Sequence, residues 1–228
     1  MKSQPKVGAV IVAAGSGERM GRLDKVSALL EGKPILAWVA STFQNSFLVN
    51  QIVIVVNEVN LEPWEQLVKE NGWTKVSDIC PGGRWRQDSV AAGLDRLHDC
   101  QWVVIHDGAR PLVTEDLISQ GLEAAKETGA AAAAIPVTDT IKMAGDDMFV
   151  RETPPRHNLW SVQTPQVFRY DIITSAYRQI ENEVTDDASL VEQLGYRVKL
   201  YMGAYDNIKI TTPSDLALAE VLLKKHGK

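Results

Sequence analysis

Unbroken apolar runs set the frame for this chain. Val7–Ala13, Gln51–Val56 and Gln101–His106 are nearly continuous stretches of β-branched and small apolar residues. A strand with one wet face alternates polar and apolar residues, whereas a continuous run needs cover on both faces. Helical segments separate these runs: one from Pro34 to about Gln44, then Leu61–Glu70, Arg86–Leu97 and Thr114–Glu127. Pro34 suits a first helical turn and Thr114 an N-cap. Strand followed by helix, repeated, predicts an α/β domain with a mainly parallel, doubly wound sheet. Lys75–Ile79, Ala130–Pro136 and Arg197–Met202 are expected to add strands. Asp171–Glu181, Asp186–Leu194 and Pro213–Lys225 are expected to be helices. A length of 228 residues suits a single domain over residues 1–228.

The pattern breaks at about residues 138–162. Asp139–Met143 and Met148–Glu152 read as short strands joined by Ala144-Gly145-Asp146-Asp147, a hairpin too polar for the main core. It is expected to project as a β-arm and to pair with another subunit.

Composition narrows the partners. Net charge is −5, with no basic stripe, which argues against a nucleic-acid duplex. A small polyanion remains open, because a few local cations can hold phosphates in an acidic chain. Cys80 and Cys100 have neither CxxC spacing nor histidine companions, so reduced thiols are expected. The N-terminal apolar run leads straight into a glycine loop and reads as a buried strand, not a signal segment. No apolar stretch reaches the ~20 residues that span a bilayer. The expected setting is the cytoplasm, away from membranes.

The chemistry-bearing residues cluster after strands. Ala13-Ala14-Gly15-Ser16-Gly17-Glu18-Arg19-Met20-Gly21 follows the first run. Glycines at a strand's carboxyl end let backbone N–H groups cradle phosphate. The segment lacks the Gly-Lys-Ser/Thr of a P-loop, and Met20 stands where a dinucleotide fingerprint needs glycine or alanine. Arg19 and Lys25 add two cations suited to a triphosphate. His106-Asp107-Gly108-Ala109-Arg110-Pro111 ends another strand. Asp107 can there bind Mg²⁺, bind a ribose hydroxyl or form a turn. Arg110 fits either a salt bridge or a phosphate clamp. Gly82-Gly83 precedes a helix carrying Ser89, a loop able to read a base edge. Asp206 and Lys209 have the chemistry of a metal ligand and a phosphate clamp. None of the four histidines has metal-site spacing, and none is assigned to catalysis.

Taken in order, AAGSGERMG, GGRWRQDSV, HDGARP, PVTDTIK, RHNLWSVQTPQVF, TDDAS and DNIKIT resemble the 2-C-methyl-D-erythritol 4-phosphate cytidylyltransferases of the non-mevalonate isoprenoid route. The resemblance implies a Rossmann-like nucleotidyltransferase fold, a homodimer interlocked by the arm, and CTP and Mg²⁺ as ligands. It implies transfer of CMP from CTP to a sugar-alcohol phosphate, 2-C-methyl-D-erythritol 4-phosphate, giving 4-diphosphocytidyl-2-C-methyl-D-erythritol and pyrophosphate. A ribitol 5-phosphate cytidylyltransferase or another sugar-phosphate nucleotidyltransferase, and a non-catalytic nucleotide sensor, are the alternatives. It also implies that Arg19 and Lys25 stabilise the pentacoordinate α-phosphorus, while Arg156 and Lys209 position the attacking phosphate. Ala13, Ala14, Gly15, Gly17, Gly83, Ser89, Asp107, Gly108 and Thr185 match nucleotide contacts. Asp107, Arg110, Thr140, Arg156, Thr164 and Lys209 match acceptor contacts, with Thr140 and Arg156 supplied by the neighbouring subunit. Asp107 and Asp206 match acidic positions near the metal. The sequence departs from the family at Asp24-Lys25-Val26-Ser27, at Arg84, which is often acidic, and at Gly108, which is often alanine.

Overall fold

The structure is a computed structural model that describes residues 5–15, 25–179 and 184–225. Its centre is strand β1 (Val7–Val12), with β4 (Gln51–Val56) on one side and β6 (Trp102–Asp107) on the other, all parallel. A short ladder of β2 (Leu29–Leu30) and β3 (Lys33–Pro34) precedes helix α1 (Ile35–Asn45). Helix α2 (Leu61–Asn71) leads to β5 (Val76–Pro81), the outer strand beyond β4. The chain then recrosses through α3 (Arg86–Leu94) to β6. β1 is thus the point where the winding reverses, and such a reversal opens a crevice beyond the strands' carboxyl ends.

Both sheet faces are covered, as the continuous apolar runs require. Ile11, Ile52, Ile54 and Val104 pack on one side with Phe43 of α1 and with Leu117 and Ile118 of α4 (Glu115–Thr128). Val10, Val53, Val103 and Ile105 pack on the other with Val90 and Leu94 of α3. That side also holds Ile172 and Ile173 of α5 (Tyr170–Gln179) and Leu190 and Val191 of α6 (Asp187–Gln193). The α4 boundary follows from its caps: Thr114 accepts the Leu117 N–H, and Gly129 ends the helix at φ 86°. Helix α7 (Pro213–Lys225) covers a satellite core of Leu30, Ile35, Leu112 and Ile210 through Ala219 and Leu223. Among the described residues no helix is long and apolar enough to cross a membrane.

One strand was not expected. Residues Trp160–Arg169 form β10, antiparallel to β6 and to β7 (Ala130–Pro136) and lying between them; β11 (Lys199–Met202) closes that edge. The arm is correspondingly smaller than the expected 138–162, because Trp160–Val162 already pairs with Pro136–Ala134 of β7. Its hairpin also differs. Only β8 (Met143–Ala144) and β9 (Val150–Glu152) pair, and the turn spans Gly145–Phe149, with Met148 at φ 62°. Asp139–Lys142 forms no strand. The arm is less polar than its sequence pattern implied, since it leaves Met148 82% and Phe149 74% exposed.

Candidate active site

Two clefts open at the carboxyl end of β1 and β6. The first, about 360 Å³, is walled by Ala13, Ala14 and Gly15 after β1, by Lys25, and by the loop Gly83–Trp85. The second, about 410 Å³, lies under β10 and α6 and is walled by Arg110, Gln163, Thr164, Gln166 and Thr185. Arg86, Asp107 and Lys209 line both clefts, so the two meet at one charged wall.

Glycines bring the walls of the first cleft together. A Cβ on Gly82 would sit 2.3 Å from Ala14 Cβ and 2.5 Å from Ser89 Oγ, so a side chain there would push the two loops apart. A Cβ on Gly15 would lie 3.4 Å from Lys25 Nζ, which places that ammonium directly over the glycine loop. Ser89 is spent on the loop itself: its Oγ accepts the Gly83 N–H at 3.2 Å and donates to the Trp85 carbonyl at 3.3 Å. The Asp88 carboxylate fastens the same loop by accepting the Trp85 N–H at 2.9 Å.

Asp107 is the hub. Its carboxylate meets Lys209 Nζ at 2.9 Å, Arg86 Nε at 3.4 Å and Arg110 Nε at 3.6 Å. Burial would raise its pKa, but Arg86, Lys209 and Arg110 outweigh burial and hold it well below the usual carboxylate range. Arg86 is anchored in turn. Its guanidinium donates to both oxygens of fully buried Asp187, at 2.9 and 2.8 Å, and Tyr177 Oη donates to the same carboxylate at 2.6 Å. Burial opposes the Arg86 charge, yet Asp187 and Asp107 raise its pKa above the ordinary guanidinium value. Gln166 ties in α6, donating to Asp186 Oδ2 at 2.9 Å and accepting the Ala188 N–H at 3.0 Å.

A second network fixes the strand end. Thr164 Oγ1 accepts the Asp107 N–H at 3.0 Å and lies 3.1 Å from His106 Nδ1; His106 Nε2 lies 3.2 Å from the Arg110 carbonyl. Burial pushes His106 down to about 4, so the ring is neutral near pH 7. Arg110 Nη1 donates to the Asn207 carbonyl at 2.7 Å, and Asn207 Nδ2 donates to the Thr164 carbonyl at 2.8 Å. These bonds lash the segment carrying Lys209 to β6 and β10.

The expected residues are thus mostly convergent. Ala13, Ala14, Gly15, Lys25, Gly83, Ser89, Asp107 and Lys209 share the first cleft; Arg110 and Thr164 join Asp107 and Lys209 in the second. Arg19 and Gly17 lie outside the described residues. Thr185, expected near the nucleotide, lines the second cleft instead. Gly108 packs inward, its N–H on the Val12 carbonyl at 2.8 Å, and Ala109 lines the first cleft in its place. Asp206 meets Lys225 at 3.3 Å and lines neither cleft. Thr140 and Arg156 stay on the exposed arm, where Arg156 Nη1 donates to the Thr138 carbonyl at 2.6 Å. Sequence reasoning missed Arg86, Asp187, Gln166 and His106 as site-building groups. Arg86 did carry a signal: a cation opening the helix that follows a Gly-Gly loop.

The charge pattern suits two anionic substrates and offers little to a protein-bound metal. Among the described residues no three His, Cys, Asp or Glu side chains group as a metal site. Among the described residues, Asp107 is the sole carboxylate lining the first cleft. That donor set fits a divalent ion that takes most of its oxygens from phosphate and water.

Comparison with known proteins agrees. The sequence model of the 2-C-methyl-D-erythritol 4-phosphate cytidylyltransferase family matches residues 7–225. The chain is 57% identical to a 2-C-methyl-D-erythritol 4-phosphate cytidylyltransferase of Dehalococcoides mccartyi strain 195, over 96% of this chain and 97% of that one. It is 47% identical to one from Alkaliphilus oremlandii, over 98% of each. It superimposes with a TM-score of 0.85 on the crystal structure of 4-diphosphocytidyl-2C-methyl-D-erythritol synthase from Anaerococcus prevotii DSM 20548, at 30% identity and 96% coverage of both chains. A winding reversal whose two crevice clefts share a cationic wall, together with likeness over nearly the whole length, places this chain in the 2-C-methyl-D-erythritol 4-phosphate cytidylyltransferase family of nucleotidyltransferases.

Proposed function

We propose that the two clefts divide the family's reaction between them, the first taking CTP and the second 2-C-methyl-D-erythritol 4-phosphate. The reaction joins these substrates into 4-diphosphocytidyl-2-C-methyl-D-erythritol, releases pyrophosphate and belongs to the non-mevalonate route to isoprenoids. The observation that carries the division is the wall common to both clefts, Arg86, Asp107 and Lys209.

The chemistry follows from charge. The acceptor's phosphate has a second pKa near 6, so it is already a nucleophilic dianion near pH 7 and needs no general base. This agrees with a neutral, buried His106. The difficulty is to bring anions together. Two unit charges ~4 Å apart repel by about 1 kcal/mol in water and about 4 at an effective dielectric of 20. Lys25 is placed to neutralise the triphosphate. Lys209 stands where one ammonium can face the attacking and the receiving phosphate. Arg110 supports the acceptor side. Asp107 gathers Lys209 and Arg110 and holds them aimed until substrate arrives. Mg²⁺ is the proposed divalent ion; when bound to the triphosphate it supplies further charge neutralisation, with Asp107 as the available protein ligand. Positioning and electrostatics thus carry the rate.

We also place two copies of the chain in the working enzyme. The exposed apolar arm supports this, as does the fact that Thr140 and Arg156 line neither cleft. Both cysteines are free, and with no membrane-crossing helix among the described residues a cytoplasmic setting is the simplest. A panel of nucleotide and acceptor pairs, followed by pyrophosphate release, tests the reading. CTP with 2-C-methyl-D-erythritol 4-phosphate should lead by more than tenfold in kcat/KM. Comparable turnover of ribitol 5-phosphate, or preference for another nucleotide, would reassign the substrates.

A further inference from the structure

We propose that His106 sets the polarity of Thr164, so that Thr164 offers the acceptor substrate a lone pair and no proton. The group it selects is therefore a substrate hydroxyl and not the phosphate. The proposal rests on the second cleft being the acceptor site.

The argument is one of hydrogen-bond bookkeeping. The Arg110 carbonyl, 3.2 Å from His106 Nε2, can only accept, so Nε2 carries the ring proton. The ring is fully buried between β6 and its neighbours, with Phe43 tilted against it at 5.4 Å. The hydrogen-bond partners of the fully buried ring are a carbonyl and a hydroxyl, neither of them a carboxylate, so the ring holds one proton, on Nε2, and Nδ1 receives the Thr164 hydroxyl proton at 3.1 Å. The Asp107 N–H fills one of the two Thr164 lone pairs at 3.0 Å. What remains on Thr164, which lines the second cleft, is a single acceptor site. The hydroxyl cannot easily swing away. Asn207 Nδ2 holds the Thr164 carbonyl at 2.8 Å, and Thr164 itself is 4% exposed.

A phosphate dianion presents only lone pairs and would meet another lone pair here. A sugar-alcohol hydroxyl presents a proton. Thr164 therefore draws the carbon chain of the acceptor to β10 and leaves its phosphate to Lys209 and Arg110. His106 touches no substrate; it is a positioning residue that acts through Thr164.

The test uses CTP and acceptors in which each hydroxyl in turn is replaced by hydrogen or by fluorine, which accepts but does not donate. At one position both replacements should lower kcat/KM alike, by about 10- to 100-fold, with KM for CTP unchanged. Thr164→Val should erase that discrimination and Thr164→Ser should restore it. His106→Leu frees the Thr164 proton, so the fluoro compound should recover relative to the deoxy compound at that position. The proposal is overturned if a fluoro acceptor matches its parent at the position that Thr164→Val affects. It is overturned equally if Thr164→Val leaves the pattern at every position untouched. The wild-type measurements depend on no variant folding. Should wild type not turn over the unsubstituted acceptor at all, the proposed function itself falls, and this inference with it.

Discussion

Lys25 and His106 stand at opposite ends of the site's electrostatics, one a cation over the glycine loop and one a base kept neutral by burial. Lys25→Ala removes the charge over the glycine loop that is proposed to face the triphosphate. Turnover should fall roughly 10²–10³-fold, as for other lost transition-state donors, with an unchanged unfolding curve. Steady-state kinetics together with circular dichroism would check this; near-normal turnover would remove Lys25 from the mechanism. His106 makes a prediction about stability. Its pKa is 6.5 when unfolded and about 4 when folded, so between those values the unfolded chain binds a proton that the folded chain refuses. Its contribution is therefore complete above pH 6.5 and lost as pH falls toward 4, about 3 kcal/mol in all. Asp107 works in the same direction at lower pH. Its folded pKa is depressed, so its stabilisation is present above the unfolded value near 3.8 and lost on further acidification. Urea unfolding in metal-free buffer should weaken steadily from pH 6.5 to 4, and His106→Asn should flatten that slope. An unchanged slope would mean that His106 is not the group refusing the proton.

Among the elements, β10 holds the most of the site and was the hardest to see. Gln166 is 1% exposed, and its amide bridges Asp186 and the Ala188 N–H. Gln166→Leu takes the partner from that N–H and from Asp186 Oδ2 and should cost about 2 kcal/mol, read as a shifted urea midpoint with an unchanged slope. A fully stable variant would show that water replaces the amide. The strand hid itself for a physical reason. Pro165 cannot donate to a ladder, and Gln163, Thr164 and Gln166 look like surface residues, so the segment reads as loop. In the fold the register with β7 breaks between Val162 and Gln166, which accommodates Pro165, and side-chain bonds satisfy the buried polar groups. The parallel strands were legible because Gln51–Val56 and Trp102–Ile105 are apolar on both faces. Helix α7 matches its expected bounds, and α4 begins just after Thr114 as expected. Within the site, Lys25, Asp107 and Lys209 were readable from motif and position. Arg86 and Asp187 were not, because their pairing joins residues 101 positions apart.

For the molecule as a whole, the arm decides whether one chain suffices. Arg156 lines neither cleft of its own subunit, and Met143, Met148, Phe149 and Val150 present apolar side chains to solvent. Patches of this kind mark contact surfaces. If Arg156 serves a neighbour's site, then Arg156→Ala and Lys25→Ala, each inactive alone, should complement each other. Random exchange of subunits makes half the dimers hybrid, each with one intact site, so recovery should approach about a quarter of wild-type activity. Assay of the mixture after subunit exchange, with sedimentation to verify exchange, provides the check, and no recovery would place Arg156 outside the shared site.

The arm and the catalytic wall are also two ends of a single piece of backbone. Trp160, 38% exposed at the arm's root, and Thr164, 4% exposed against His106, are four residues apart on β10. Between them the ladder with β7 breaks at Val162–Gln166, and Gln163 Nε2 ties the strand to the Ala204 carbonyl at 3.0 Å. If the arm pairs with a companion as proposed, tension at the outer end has only four residues in which to die away before the inner end, and a subunit that lost its companion would slacken its grip on the sugar alcohol even with every one of its own side chains still in place.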